Sequence, residues 1–163
     1  MKEREIRPQE IFDEYLKLAE RDVTTFFGNA SLVRLDCPAC GGKGRFAFFK
    51  KGFHYEECPE CLTLFVNPRP EKGAFSRYYT DALSTKYWAT TFYKETESAR
   101  REKLWKPKAF LIKEKVEKYL HTGTIIDIGG GYGTFAEEIG KIACANIIVI
   151  EPSPYLARVC REK

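Results

Sequence analysis

The chain of 163 residues is short of several things. It has no long apolar run: stretches such as Ile147 to Ile150 fall far below the ~20 residues that span a bilayer, so no transmembrane segment is expected. Met1 to Glu14 is charged throughout and lacks the apolar core of a secretory signal, so the cytoplasm is the expected compartment. Charge of one sign is scarce as well. With 27 basic and 23 acidic residues the net charge is only +4 and the pI near 8.7, which makes no case by itself for nucleic acid or an anionic membrane. The two histidines, His54 and His121, are isolated and have no nucleophile or carboxylate partner nearby in sequence, so neither is given a role. No internal repeat or low-complexity tract is present. What is abundant fits a globular protein: 44% hydrophobic, 31% charged and 14% aromatic residues exclude a wholly disordered or fibrous chain.

Cysteine is the first informative presence. Six occur, and four form two Cys-x-x-Cys pairs, Cys37-Pro38-Ala39-Cys40 and Cys58-Pro59-Glu60-Cys61, whose separation falls in the range of a two-knuckle structural zinc site. Each turn points two sulfurs to one side, and two such turns at the ends of a hairpin can converge four thiolates into the tetrahedron that zinc accepts. Iron remains an alternative metal; disulfides, a redox pair and free thiols are alternative states of the sulfur. Four thiolates leave no open coordination position, so the expected role is structural, and metal binding would carry most of the folding of so small a module. Gly41 follows the first knuckle and Leu62 the second, a departure expected to make the second less regular. Lys43 and Arg45 are candidates to offset the negative charge. Cys144 and Cys160 fall outside the spacing and read as small core residues.

Hydrophobic periodicity orders the rest. Ile11, Tyr15 and Leu18, flanked by Phe12, Leu16 and Ala19, predict an amphipathic helix from Pro8 to Phe26. Arg45–Phe49 and Phe53–Glu57 read as strands joined by a turn at Lys50-Lys51-Gly52. After the stiff connector Asn67-Pro68-Arg69-Pro70 comes a segment rich in aromatics and charges, then a helix from Lys108 to Leu120 with Pro107 at its start and His121-Thr122-Gly123 at its end. A strand (Thr124 to Ile128), a helix (Thr134 to Ala143), a strand (Ala145 to Ile150) and a helix opened by Ser153-Pro154 follow, in βαβα order. The expected division is an N-terminal helix (1–34), a metal module (35–70), a helical lid or linker (71–121) and an α/β unit (122–163).

Between the first pair of elements of that unit lies Asp127-Ile128-Gly129-Gly130-Gly131-Tyr132-Gly133. A chain that turns sharply from strand to helix while its backbone lies close to a ligand needs glycine for both purposes. Thr134 stands where a dinucleotide fingerprint has its last glycine, and no lysine follows as a phosphate loop requires, so NAD binding and triphosphate hydrolysis are both disfavoured. Glu151, at the end of the next strand and followed by Pro152, sits where an acidic side chain can accept from a ribose diol.

The glycine segment resembles the acidic-x-G-x-G-x-G loop of S-adenosylmethionine-dependent methyltransferases with a Rossmann-like sheet, through Asp127, Gly129, Gly131 and Gly133, and Glu151-Pro152-Ser153 resembles their second cofactor motif. Together with the preceding four-cysteine module, the chain from about residue 35 is similar to the group that carries a zinc-binding domain before the catalytic domain, some of whose members methylate carbons of nucleotide-linked deoxysugars. The resemblance implies an α/β fold that joins a zinc ribbon, a helical lid and the first βαβα part of a Rossmann-like sheet. It implies that Glu151 holds the adenosyl ribose, that Gly129, Gly130, Gly131 and Gly133 pass the methionine part, that Asp127 fixes the loop and the amino group, and that Pro152 lies beside the ribose contact. The expected cofactors are S-adenosylmethionine and structural zinc; the partner is a small-molecule acceptor methylated at carbon or oxygen. No residue here is named as catalytic base. Tyr78, Tyr79, Tyr87, Trp88, Phe92 and Tyr93 are lid candidates, with packing the commoner role; Arg100 and Arg101 are candidates to hold the cofactor carboxylate, with a solvated helix face the commoner role. Two strands are fewer than the seven of the resembled fold, so the chain reads as a fragment, inactive alone, whose open sheet edge is expected to pair with a second copy. Two other functions stay open: a zinc-ribbon module that contacts nucleic acid or protein through Lys43, Arg45, Lys50 and Lys51, and a non-catalytic cofactor-binding remnant.

Overall fold

The computed structural model describes residues 2–119 and 123–163; the helix end anticipated at Leu120, His121 and Thr122 lies outside them. After a short turn of helix, α1 (Glu3–Ile6), the amphipathic stripe forms α2 (Gln9–Phe27). One polar residue shares that stripe. Asp22 is buried, and its carboxylate accepts from the backbone N–H of Ser84 at 2.7 Å, so the stripe carries one hydrogen bond to the start of another helix among its apolar contacts. Phe27, at the end of α2, has its ring within 5.1–5.7 Å of Phe53, Phe75 and Tyr78.

The cysteine-bearing module is a three-stranded antiparallel sheet of β2 (Arg45–Lys50), β3 (Phe53–Glu57) and β4 (Leu64–Val66), in that order. Lys51 and Gly52 both take positive φ, the geometry of a hairpin turn that matches strand twist. The module is closed where the chain enters and leaves it. Two-residue strands β1 (Leu32–Val33) and β5 (Arg69–Pro70) pair antiparallel. The buried Asn67 imitates one more rung: its Oδ1 accepts from Leu35 N, and its Nδ2 donates to Leu35 O and to Glu56 Oε2.

After α3 (Lys72–Asp81), the segment expected to be a lid is one uninterrupted helical rod: α4 (Leu83–Tyr87), a π-helical turn (Trp88–Phe92), α5 (Tyr93–Arg100), a second π turn (Arg101–Trp105) and α6 (Lys106–Tyr119). Pro107 does not start this helix. The rod runs through it, and the wider turn immediately before accommodates the backbone N–H that proline lacks. The rod docks on α2 through rings, Tyr15 against Trp88 at 4.5 Å and Trp88 stacked on Phe92 at 4.0 Å and 7°.

Beyond the rod, β6 (Thr124–Ile128) and β7 (Asn146–Ile150) pair in parallel from Thr124↔Asn146 to Ile128↔Ile150, joined through α7 (Thr134–Gly140) and followed by α8 (Pro154–Glu162). The fold is therefore mixed α/β with three small sheets. Helix α7 packs on β7, with Gly140 beside Ile147. Ile126, Ile128, Ile148 and Ile150 are all exposed, which leaves an apolar row on one face of the β6–β7 pair.

Arg100 and Arg101 are not on a solvated face. The Arg100 guanidinium lies over the rings of Phe92, Tyr93 and Trp105 at 5.5–5.9 Å. Arg101 is the hub of an acidic cluster: it meets Glu97 on its own rod and Glu137 and Glu138 on α7, while Lys163 reaches Glu97 and Glu137, and Lys141 reaches Glu138. Burial opposes the charged form of Glu97, but hydrogen bonds from Arg101 and Lys163 prevail and hold its carboxyl below the ordinary value. Lys141, then Arg101, do the same for Glu138 against its desolvation. A carboxyl whose folded-state value is depressed adds stability above its unfolded value, about 4.3 for glutamate, and loses it as pH falls through the folded value. Replacing Arg101 by Met leaves a nearly buried Glu138 short of a partner and is expected to cost about 1–3 kcal/mol at pH 7. Urea unfolding at several pH values should show the gap to the unaltered chain narrowing below about pH 4; a gap that stays constant would contradict this account.

Candidate metal centre and ligand cleft

The four cysteines of the sequence motif come together. Their sulfurs all lie within 4.8 Å of one another, with Cys37 to Cys61 and Cys40 to Cys58 at 3.5 Å. A tetrahedron with metal–sulfur bonds of about 2.3 Å has its sulfurs about 3.8 Å apart, so the quartet fits one tetrahedral ion. Two turns of equivalent build create it. In the first, Gly41 N donates to Cys37 O and Cys37 N to Gly42 O; in the second, Leu62 N donates to Cys58 O and Cys58 N to Thr63 O.

Gly41 has φ +80° and Leu62 φ +61°, so the leucine takes the same left-handed conformation as the glycine. The second knuckle is thus as regular as the first, at the cost of a strained Leu62. Backbone N–H groups and neighbouring sulfurs pull in opposite directions: burial opposes thiolate at Cys37, yet the N–H groups of Cys40 and Ala39 bring that thiol below its ordinary value, whereas at Cys40 the Gly42 N–H favours thiolate but the sulfurs of Cys61 and Cys58 prevail and push the thiol up to about 12. At Cys61 the Thr63 hydroxyl, 3.2 Å from Sγ, and then the Thr63 N–H bring the thiol down to about 6. Lys43 is not free to neutralise the cluster, because it pairs with Asp36 at 2.5 Å. Of the other two cysteines, Cys144 is exposed and not a core residue, whereas Cys160 donates to Gly131 O at 3.3 Å.

The second site is a cavity of about 310 Å3 at the carboxyl ends of β6 and β7. Gly129, Gly131, Glu151 and Pro152 line it, facing Tyr15, Trp88 and Tyr93. Gly129, Gly131 and Gly133 all have positive φ, between +59° and +76°, so the loop is a conformation that side-chain-bearing residues rarely adopt. At Gly131 space matters as much: a Cβ would overlap the Tyr93 hydroxyl. Tyr93 also stacks on Tyr132 at 5.5 Å and 19°, so the rod and the loop shape each other.

Among the described residues Glu151 is the only charged side chain in the lining. Its Oε2 accepts from Gly131 N and its Oε1 from Ser153 N, both at 2.8 Å. Each carboxylate oxygen can accept about two hydrogen bonds, so each has one acceptor position left. Asp127, Gly130 and Gly133 do not line the cavity. The Asp127 carboxyl lies behind the loop, where Oδ2 is buried without a partner and a Cβ on Gly130 would meet it at 3.0 Å; burial raises its pKa, against an opposing pull from Lys108. Of the aromatic candidates Tyr78, Tyr79, Trp88 and Tyr93 line the cavity, while Phe92, on the rod itself, is buried. Tyr15, on the amphipathic stripe of α2, lines the cavity as well. No protein-family model, curated protein or solved structure matches this chain.

Two outcomes follow for the cysteine cluster. The reduced chain is expected to bind one divalent ion, and cobalt in place of zinc should show the visible absorption of tetrahedral thiolate coordination; Cys58→Ser should abolish that band, and a band unchanged by the substitution would contradict the four-sulfur site. Replacing the exposed, left-handed Leu62 by Gly should raise the stability of the metal-loaded chain by about 0.5–1 kcal/mol in urea unfolding, because relief of the left-handed penalty outweighs the entropy of glycine. A loss of stability would refute the strain.

Proposed function

We propose that the chain is the metal-stabilised, cofactor-binding part of an S-adenosylmethionine-dependent methyltransferase that acts on a small molecule, with β6–α7–β7–α8 as the start of a Rossmann-like sheet and zinc as the structural ion of the cysteine quartet. The observation that carries this reading is the convergence of the glycine loop and Glu151 on one cavity at the carboxyl ends of adjoining parallel strands, where open α/β sheets bind ligands.

The remaining acceptor positions on the two Glu151 oxygens match a vicinal ribose diol, and the N–H bonds from Gly131 and Ser153 fix the carboxylate plane to receive it. The exposed backbone at Gly129 and Gly131 lets the methionine part approach closely. The rings of Tyr15, Trp88 and Tyr93 exclude water from the opposite wall and offer an apolar surface to a flat base. The Asp127 carboxyl lies behind the loop with its buried Oδ2 unpartnered, so it is given no contact with the cofactor. When bound, the cofactor supplies the electrophilic sulfonium methyl. The part we give to this chain is to bind and orient it; the one carboxylate in the lining is already committed to two backbone N–H groups, and we name no catalytic base.

Calorimetric titration of S-adenosylhomocysteine into the zinc-loaded chain tests the proposal. One site is expected, weakened at least tenfold by Glu151→Ala and less by Glu151→Gln, which keeps one acceptor oxygen. Absence of binding, or equal affinity in Glu151→Ala, would overturn it.

A further inference from the structure

Beside the cleft, and sharing Tyr79, Thr85 and Ser153 with it, lies a second cavity of about 390 Å3 between the rod and the start of α8. Its charge is opposite to that of the first. Lys86 from α4 and Arg158 from α8 line it, and no carboxylate does. Neither cation makes an ion pair among the described residues. Two like charges from separate elements facing one cavity repel each other unless an anion sits between them. The rest of the lining is mostly apolar, with the partly exposed rings of Tyr79 and Tyr155 and the side chain of Ala89.

We propose that this second cavity binds a phosphate-bearing ligand, its anionic group held by Lys86 and Arg158 and an attached ring or chain laid against Tyr79 and Tyr155. A guanidinium offers a phosphate two parallel N–H bonds and an ammonium a point charge, so the pair combines direction with attraction. At the start of α8 Pro154 has no N–H and the N–H of Leu156 is directed to Ser153 Oγ at 3.5 Å, so the charge that reads the anion comes from the side chains. The hydroxyls of Thr85 and Thr90 are engaged with backbone carbonyls, so charged recognition falls to the two cations, beside the hydroxyls of Tyr79, Thr80 and Tyr155 in the lining. The site rests on this charge segregation and stands independently of what occupies the glycine-loop cleft.

Phenyl phosphate, inorganic phosphate and phenol, each titrated into the zinc-loaded chain and followed by amide resonances, test the site. Phenyl phosphate should shift Ala89, Thr90 and Tyr155 saturably, inorganic phosphate should do so more weakly, and phenol should not saturate. Raised salt should weaken binding. The double variant Lys86→Ala/Arg158→Ala, altered only at exposed positions, should keep the wild-type spectrum elsewhere and bind at least tenfold more weakly. No saturable shift up to about 10 mM, on the scale of weak binding, or equal affinity in the double variant, would overturn the proposal. Phenyl phosphate binding without S-adenosylhomocysteine binding would remove the cofactor reading and leave this site standing; the reverse result would remove this site alone.

Discussion

The carboxylate of Glu151 is the tie on which the cleft depends. It ends β7, yet it is held by the N–H of Gly131 in the preceding loop and of Ser153 at the cap of the following helix. One side chain therefore joins the strand end, the glycine loop and α8, and fixes where their backbones stand relative to the cavity. Without a charged acceptor there, the Gly131 N–H would face the cavity unpaired, and a loop of three left-handed glycines would have little to select one conformation among many.

The opposite wall is built by different physics. Rings from α2 and the rod pack in series, Tyr15 tilted against Trp88 and Trp88 stacked on Phe92, and Tyr93 then meets Tyr132 and the bare backbone of Gly131. Arg101 adds an ionic clasp between the rod and α7. The rod thus approaches the α/β unit through an aromatic contact at the loop and a charged one at the helix behind it. Its first π turn sets the rotation at which Tyr93 and Arg101 present themselves relative to the residues before it, since a wider turn shifts every later side chain around the axis.

The features legible in the sequence are those fixed by short spacing. The cysteine pairs, the Lys51-Gly52 turn, the βαβα order and the glycine loop all depend on residues a few positions apart, and each element formed within a residue or two of its expected bounds, except that α7 stops at Gly140. What was not legible depends on distant partners. Asp22 sits on an apolar stripe because a helix start sixty residues on needs an acceptor; Arg101 looks solvated until Glu137 and Glu138 are brought to it; Leu62 looks like an irregularity until the second knuckle imposes the left-handed turn of the first. Pro107 reads as a helix start because local rules do not include a π turn that carries the helix past it. Within the site, Glu151 and the loop were found from sequence, while the placement of Asp127 behind the loop and the contribution of Tyr15 required the fold.

A crystal structure of the zinc-loaded chain grown with S-adenosylhomocysteine tests the central claim most directly. The account expects the ribose hydroxyls on the Glu151 carboxylate, the methionine part along Gly129 and Gly131, and the base against Trp88 or Tyr93. Ligand density elsewhere, or a loop and a Glu151 that no ligand touches, would contradict it.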